Sequence, residues 1–235
     1  MNSLFITLTF CLLDIALLEA QGTVDNTFID IDGNIYKTVT IGRYEWMAEN
    51  LGTATYMDSL KIPYVASDSI WTNLSYGAYC WYDNDSENAE LYGALYNWYA
   101  VNTCRLCPAG WHIPTDEEWK YLESYVDTCV PSGDSVGNNF RANKNIAGKW
   151  LKAKSNWESG GDGTDDFNSS ASPGGERISR NGHFLLIGRN GFWWSGTQDG
   201  RSKAIFRRII YSLPDISRNS HDKNFGFSAR CIRDN

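Results

Sequence analysis

The chain has 235 residues, of which 42% are hydrophobic and 14% aromatic, and its formal net charge is −7. This length and composition fit one large soluble domain with a substantial core, and they exclude a disordered chain. Residues 1–176 carry 10 basic and 24 acidic side chains, whereas residues 177–235 carry 11 and 4. The basic side chains of the second part lie among Phe, Ile and Tyr, as on strands. They do not form the clustered stripe that nucleic-acid binding requires.

The first 20 residues have the character of a secretory leader. They are mostly apolar from Leu4 to Leu18, but Asp14 interrupts the run, which is short for a membrane span. Ala20 is a small residue at a suitable cleavage point, so the sequence predicts a signal peptide over 1–20 and a domain over 21–235. Lipidation at Cys11 is not favoured, because the bulky Phe10 precedes it. We therefore expect an exported protein with no transmembrane segment.

The first predicted element of the domain is a hairpin over residues 27–42, because Asp32-Gly33 separates two apolar, alternating stretches. A short strand and a turn follow over 44–51. Residues 52–90 are polar and aromatic, and predict long loops with one short strand around 76–84. Apolar residues spaced by three and four predict a helix over 91–101.

A second helix is predicted over residues 116–127. Thr115 and Glu118 form a capping box, in which the threonine side chain accepts from the first turn and the glutamate reaches back. The acidic residues 116–118 also suit the positive end of the helix dipole. Trp119, Leu122 and Val126 would form its buried stripe.

The second half of the chain predicts loops followed by strands. Residues 128–146 predict a polar loop, 147–152 a short helix or turn, and 155–182 a Gly-, Ser- and Asp-rich loop. Four successive strands are expected over 184–188, 191–196, 203–213 and 224–234. Two short helices followed by strands indicate a single α+β domain with long loops.

Six ordered motifs resemble a known family. They are "DIDGNIYKTVTIG", "WMAENL", "YGALYNWYAV", "CPAGWHIPTDEEW", "GFWWSGT" and "GFSARCIRD". Together they look like the Fibrobacter succinogenes major paralogous domain family, over about Phe28 to Asp234. The resemblance implies a C-type-lectin-like fold with two main helices and a small antiparallel sheet. It also implies a secreted or cell-surface bacterial protein. It implies no established activity, and the fold does not supply one.

The resemblance also implies a disulfide between Cys107 and Cys231, which would tie the helical region to the C-terminal strand. Cys104 and Cys129 flank one helix and are candidates for a second bridge. Cys80 would then be a buried thiol.

Catalytic metal chemistry is not supported by the residues. A Cys104/Cys107/His112/Cys129 zinc set is conceivable, but disulfides are the better prediction for an exported chain. The Cys-x-x-Cys spacing lacks the strand-to-helix turn of a redox motif. Formylglycine-generating enzymes resemble this fold but use a late cysteine pair, and residues 206–230 contain no cysteine. We expect no enzyme and no cofactor, with an enzyme related to formylglycine generation as the alternative.

Calcium is the remaining cation to consider. Asp162, Asp165 and Asp166 lie in a Gly-rich loop that could hold Ca²⁺, although a solvated turn is the commoner arrangement. The motifs of sugar-binding, calcium-dependent lectins are absent from the sequence, so calcium is a possibility without a motif.

The sequence therefore predicts a noncatalytic binding or adhesion module for a surface glycan or protein. A purely structural surface domain is a further alternative. The ligand is expected on the loop-rich face of residues 155–220, because loops on a rigid scaffold carry variable chemistry. The predicted ligand-binding residues are Trp157, Asp162, Asp165, Asp166, Arg189, Trp194, Arg201, Tyr211 and Arg218.

Overall fold

The computed structural model describes residues 23–129 and 145–234. Strands dominate these residues. They are β1 (Thr23–Ile29), β2 (Ile35–Ile41), β3 (Tyr44–Met47), β4 (Tyr79–Cys80), β5 (Leu95–Tyr96), β6 (Trp111–His112), β7 (Gly174–Arg177), β8 (Phe184–Ile187), β9 (Asn190–Asp199), β10 (Lys203–Ile210), β11 (Ile216–Asp222) and β12 (Ile232–Arg233).

The helices are fewer and short. They are α1 (Asp68–Trp71), α2 (Glu87–Tyr92), α3 (Trp98–Val101), α4 (Asp116–Cys129) and α5 (Ala147–Leu151), with one 3-10 turn at Tyr82–Asn84. Within the described ranges only α4 exceeds two turns. The predicted two-helix α+β, C-type-lectin-like architecture is therefore wrong, because most of the regular structure is antiparallel sheet.

The largest sheet has five strands in the order β1-β2-β3-β12-β6, all antiparallel. Its first hairpin is confirmed, since Ile29 faces Ile35 across a turn in which Gly33 has a φ of +87°. Glycine adopts this left-handed conformation without a steric penalty. The C-terminal β12 lies between β3 and β6, so strands from both ends of the described chain belong to this sheet.

A second sheet has the order β11-β10-β9, and two short hairpins pair β4 with β5 and β7 with β8. Strands β8, β9 and β10 confirm the strands predicted over 184–188, 191–196 and 203–213, although β10 ends at Ile210. Strand β11 was not predicted, because only Ile216 of its seven residues is buried and an edge strand needs little apolar alternation. The predicted strand over 224–234 is a strand only at Ile232–Arg233.

The expected helix over 91–101 is also wrong. Helix α2 stops at Tyr92, and Gly93 follows with a φ of +69°. A Cβ on Gly93 would lie 2.8 Å from the backbone oxygens of Asn50 and Leu51. Glycine at this position therefore lets the two segments approach closely. Asn97 then begins α3 by accepting from the Ala100 N–H at 3.1 Å. The apolar spacing therefore reflects a buried strand between two helical turns.

Helix α4 confirms the second predicted helix. Thr115 Oγ1 accepts from the Glu118 N–H at 3.3 Å, and the Glu118 carboxylate accepts from the Thr115 N–H at 2.7 Å. Trp119, Leu122 and Val126 are buried on the face that packs on β2, β9 and β10. The local capping chemistry that the sequence displays is thus the chemistry that starts this helix.

Candidate functional site

Two of the predicted ligand-binding side chains are core residues. Trp194 is fully buried, and its Nε1 donates to the Tyr96 carbonyl at 2.8 Å. Trp157 is also buried, with its Nε1 donating to the Ala171 carbonyl at 3.1 Å. Trp193 is buried as well, because β9 is covered on both faces. Neither Trp157 nor Trp194 is available to a ligand.

Arg189 and Tyr211 form a small surface contact near Trp157. The Arg189 guanidinium lies 5.3 Å from the centre of the Tyr211 ring, and its Nε lies 2.6 Å from Glu158 Oε2. Hydrogen bonding to Tyr211 and the charge of Glu158 raise the pKa of Arg189. These side chains are already paired with one another, so they fix the loop around Glu158.

The three aspartates of the Gly-rich loop do not share a partner and do not form one site. Asp162 accepts from the Trp157 N–H at 3.1 Å, and Asp165 accepts from the Ser170 N–H at 2.7 Å and from its hydroxyl at 3.0 Å. Asp166 is exposed. Over the part of the chain that the structure describes, no three His, Cys, Asp or Glu side chains gather as metal ligands would.

Arg218 lies on the edge strand β11 and binds Asp116 at the start of α4, with Nε to Oδ1 at 2.8 Å. The buried Arg207 binds the same carboxylate oxygen at 2.8 Å and also contacts Glu123. We call Asp116, Glu123, Arg207 and Arg218 the α4 network. Arg201 is exposed at the β9–β10 turn, where its carbonyl accepts from Lys223. The nine predicted residues therefore do not form one site.

A cleft with a volume of about 590 Å³ lies elsewhere among the described residues. It is bounded by the turn before β2, the segment after β3, the end of α2 and the loops around 153–156 and 165–172. Of the predicted residues only Asp165 lines it. The lining side chains that carry polar groups are Asn34, Tyr36, Glu49, Asn50, Glu90, Lys154, Ser155, Asn156, Asp165, Ser170 and Ser172.

The floor of the cleft is held by Asn50. Its Nδ2 donates to the Tyr92 carbonyl at 2.9 Å and to the hydroxyls of Ser172 and Ser228 at 3.3 and 3.2 Å. Its Oδ1 accepts from Trp193 Nε1 at 2.8 Å and from Arg230 Nε at 3.0 Å. One buried amide thus joins its own segment to four distant parts of the chain, around residues 92, 172, 193 and 228–230.

Arg230 lies directly behind this floor and is fully buried. Besides Asn50, it donates to the carbonyls of Ser169 and Ser170. Burial lowers the pKa of Arg230 to about 10, while the charges of Asp165 and Glu49 oppose that shift. We call Asn50, Ser169, Ser170, Trp193 and Arg230 the floor network. The groups of this network that accept hydrogen bonds from the Arg230 guanidinium are neutral.

The rim of the cleft combines apolar and charged side chains. Ile35 is 66% exposed and Leu91 56% exposed, and both line the opening together with Glu90 and Lys154. Asp165 is the buried carboxyl of the cleft. Burial raises its pKa, and the hydrogen bonds from Ser170 only partly offset this effect. The cleft therefore offers hydrogen-bond donors and acceptors beside the aliphatic side chains of Ile35 and Leu91.

Of the five cysteines in the described ranges, two form a disulfide and three are free thiols. Cys107 and Cys231 form the disulfide that the resemblance implied, with their Cα atoms 5.9 Å apart. Cys104 and Cys129 are separate thiols, so the candidate second bridge is absent from the structure. Cys80 is buried, and burial raises the pKa of its thiol to about 12. A thiolate nucleophile is not expected at Cys80.

His112 is engaged by two carboxylates. Its Nδ1 lies 2.6 Å from Asp234 Oδ1 and its Nε2 lies 3.1 Å from Glu118 Oε1. Glu118 belongs to the capping box of α4, so His112 connects that helix start to the C-terminal strand. The conceivable zinc set fails, because His112 faces carboxylates and Cys107 is in a disulfide.

The model of the Fibrobacter succinogenes major domain matches residues 39–233. The chain belongs to this family. A search of curated proteins and a search of solved structures each found no match. For this member of the Fibrobacter succinogenes major domain family, the match covers the floor network, the disulfide and all of the cleft lining except residues 34–36.

Sequence reasoning missed the cleft, although two of its key residues lie in motifs that carry the family resemblance. Asn50 belongs to "WMAENL" and Arg230 to "GFSARCIRD". A polar residue inside an otherwise apolar motif is the signal that could have indicated a buried network. Nothing in the local sequence brings residues 50 and 230 together, because 180 positions separate them.

Proposed function

We propose that this domain is a noncatalytic binding module, exported to the bacterial cell surface, that holds a glycan or protein ligand in the cleft described above. The observation that carries the proposal is the 590 Å³ cleft with a polar lining on a rigid floor. Ligand sites are concave and place a few polar groups to fix orientation. No helix within the described ranges is long and apolar enough to cross a membrane.

The floor supports binding because it is already organised. Asn50 makes five hydrogen bonds to protein groups, so the walls that it joins do not have to be ordered when a ligand arrives. Pre-organisation reduces the entropy lost on binding. The rim residues Glu90 and Lys154 are exposed and can turn toward a ligand.

The lining favours a ligand rich in hydroxyl or amide groups. Glu49 and Glu90 supply acceptors, Lys154 supplies a donor, and Ser155 and Asn156 supply both. Ile35 and Leu91 add aliphatic contacts on the rim. This combination suits sugar hydroxyls or a peptide backbone with an apolar side chain.

The test is a ligand screen followed by matched substitutions. The full chain is applied to an array of bacterial and host glycans and surface proteins, and the strongest binder is measured by calorimetry. Leu91→Ala and Lys154→Ala are each expected to weaken binding about three- to tenfold, since a rim contact contributes roughly 1 kcal/mol.

Leu213→Ala is the matched control, because Leu213 is 44% exposed and does not line the cleft. It should leave the affinity unchanged. Equal affinities for all three variants and the unmodified chain would show that the ligand binds outside the cleft. A screen without any binder would favour the purely structural surface domain.

A further inference from the structure

A pair of aromatic rings outside the cleft remains accessible to solvent. Tyr64 is 41% exposed and Trp81 is partly exposed, and their ring centres are 5.0 Å apart with planes tilted by 42°. Neither residue lines the cleft. We call Tyr64 and Trp81 the ring surface.

The ring surface is fixed from behind. The backbone on both sides of Tyr64 bonds to Tyr79, since the Val65 N–H donates to the Tyr79 carbonyl and the Tyr79 N–H to the Pro63 carbonyl, both at 3.0 Å. The Tyr79 ring is buried and meets Trp81 edge-on at 5.8 Å. The Tyr64 hydroxyl donates to the Asn84 carbonyl at 3.4 Å. A ligand would therefore meet rings that are already positioned.

The distances exclude a cage for a cation. Tyr64 and Tyr79 have ring centres 5.5 Å apart, so all three rings contact one another and leave no space between them. A cation bound by several rings must sit between their faces. The exposed parts of the Tyr64 and Trp81 rings instead form a small aromatic strip at the surface.

Polar groups border this strip at the turn after Trp81. Asp83 and Asn84 have φ values of +54° and +56°, a conformation that non-glycine residues adopt at an energetic cost. Asp83 is exposed, and the buried Asn84 Oδ1 has no hydrogen-bond partner among the described residues. Asp83 and Asn84 thus follow Trp81 by two and three positions in the sequence, and the Tyr64 hydroxyl contacts Asn84.

We propose that the ring surface is a carbohydrate-stacking site, separate from the cleft, for β-linked glucose or xylose units. Such sugars carry equatorial hydroxyls and present a flat face of C–H groups to a ring. The hydroxyls at the sugar edge would then reach Asp83 and the adjoining turn. Tyr and Trp suit this task because each combines a large apolar face with a polar group.

The size of the ring surface argues for a sugar over a protein. Two partly exposed rings present on the order of 100–200 Å² of aromatic area. A stable protein interface needs about 800 Å² on each partner. A pyranose ring matches the smaller area, and the proposal does not depend on any ligand in the cleft.

Calorimetry with defined oligosaccharides tests the proposal. The full chain is titrated with β-1,4-linked glucohexaose and xylohexaose, and with α-1,6-linked glucohexaose as a comparator. We expect millimolar or tighter binding of the β-linked sugars. Tyr64→Leu keeps apolar bulk but removes the ring, and should weaken binding about tenfold. Tyr64→Phe keeps the ring and should stay within about threefold of the unmodified chain.

Tyr76→Leu is the matched control, since Tyr76 is 51% exposed and makes no ring contact with Tyr64 or Trp81 among the contacts of the described residues. It should bind as the unmodified chain does, and circular dichroism should show all variants folded. The proposal is overturned if no β-linked hexasaccharide binds in the millimolar range, or if Tyr64→Leu binds unchanged. Leu91→Ala should leave this binding intact, so failure here and failure of the cleft proposal are distinguishable.

Discussion

The α4 network and the floor network both bury arginine, and they compensate its charge differently. In the α4 network Asp116 forms ion pairs with Arg207 and Arg218, each at 2.8 Å. Lys120, outside the network, forms a further ion pair with Asp116 at 3.0 Å. In the floor network Arg230 has an amide and backbone carbonyls as partners. The first network depends on the ionisation of a carboxylate, whereas the second depends on the geometry of neutral groups.

The two networks should therefore respond differently to acid, most directly through protonation of Asp116 in the α4 network. Burial by itself would raise the pKa of Asp116, but hydrogen bonds from Arg218, Arg207 and Lys120 outweigh it and hold that pKa below its ordinary value. The floor network contains no carboxylate in contact with Arg230. Substitution of one residue in each network tests whether the distinction holds.

The largest effect is expected for Asn50→Ala. The change leaves Arg230 Nε and Trp193 Nε1 buried without their acceptor, and each unsatisfied buried donor costs about 1–3 kcal/mol, more where it is charged. Urea denaturation at pH 7 measures the free energy of unfolding. Ser155→Ala, at an exposed position of the same cleft without a positive φ, is the control and should change stability little. A loss below about 1 kcal/mol for Asn50→Ala would show that water replaces the amide.

Asp116→Asn should rank second, at about 2–4 kcal/mol at pH 7, because Arg207 keeps only Glu123 as an ionic partner. The lowered pKa of Asp116 means that its stabilisation is present above the unfolded pKa and lost as the pH falls through the folded one. The difference in unfolding free energy between the unmodified chain and Asp116→Asn should therefore shrink below about pH 4.

Glu117→Gln is the control for Asp116→Asn, since Glu117 lies in the same helical turn but is exposed. It should shift the unfolding free energy by no more than about 0.5 kcal/mol. Parallel denaturation curves from pH 3 to pH 7 give both comparisons. A deficit of Asp116→Asn that stays constant over this range would contradict an ionic origin.

The smallest effect is expected for Thr115→Ala, at about 0.5–2 kcal/mol. The substitution removes the hydroxyl that accepts from the Glu118 N–H, and Glu118 retains the Thr115 N–H. Thr115→Ser keeps the hydroxyl and should restore most of the stability. If alanine and serine behave alike, the Arg207 and Arg218 contacts of Asp116, not the cap, define the start of α4.

The sequence by itself determined the local features of this protein. Asp32-Gly33 specified the first hairpin, and Thr115 with Glu118 specified the start of α4, because turns and caps are made by residues within a few positions of each other. The motif resemblance also placed the chain in its family and implied the disulfide between Cys107 and Cys231.

The tertiary structure decided which side chains are available to a ligand. Trp157 and Trp194 are of a residue type that is common at binding surfaces, yet both are buried because neighbouring strands and loops cover them. Asn50 and Arg230 meet across 180 positions of sequence, and the helical spacing over 91–101 gave way to a strand because Gly93 passes close to Leu51. Burial and long-range hydrogen bonding depend on how the sheets pack, and no local pattern encodes that packing.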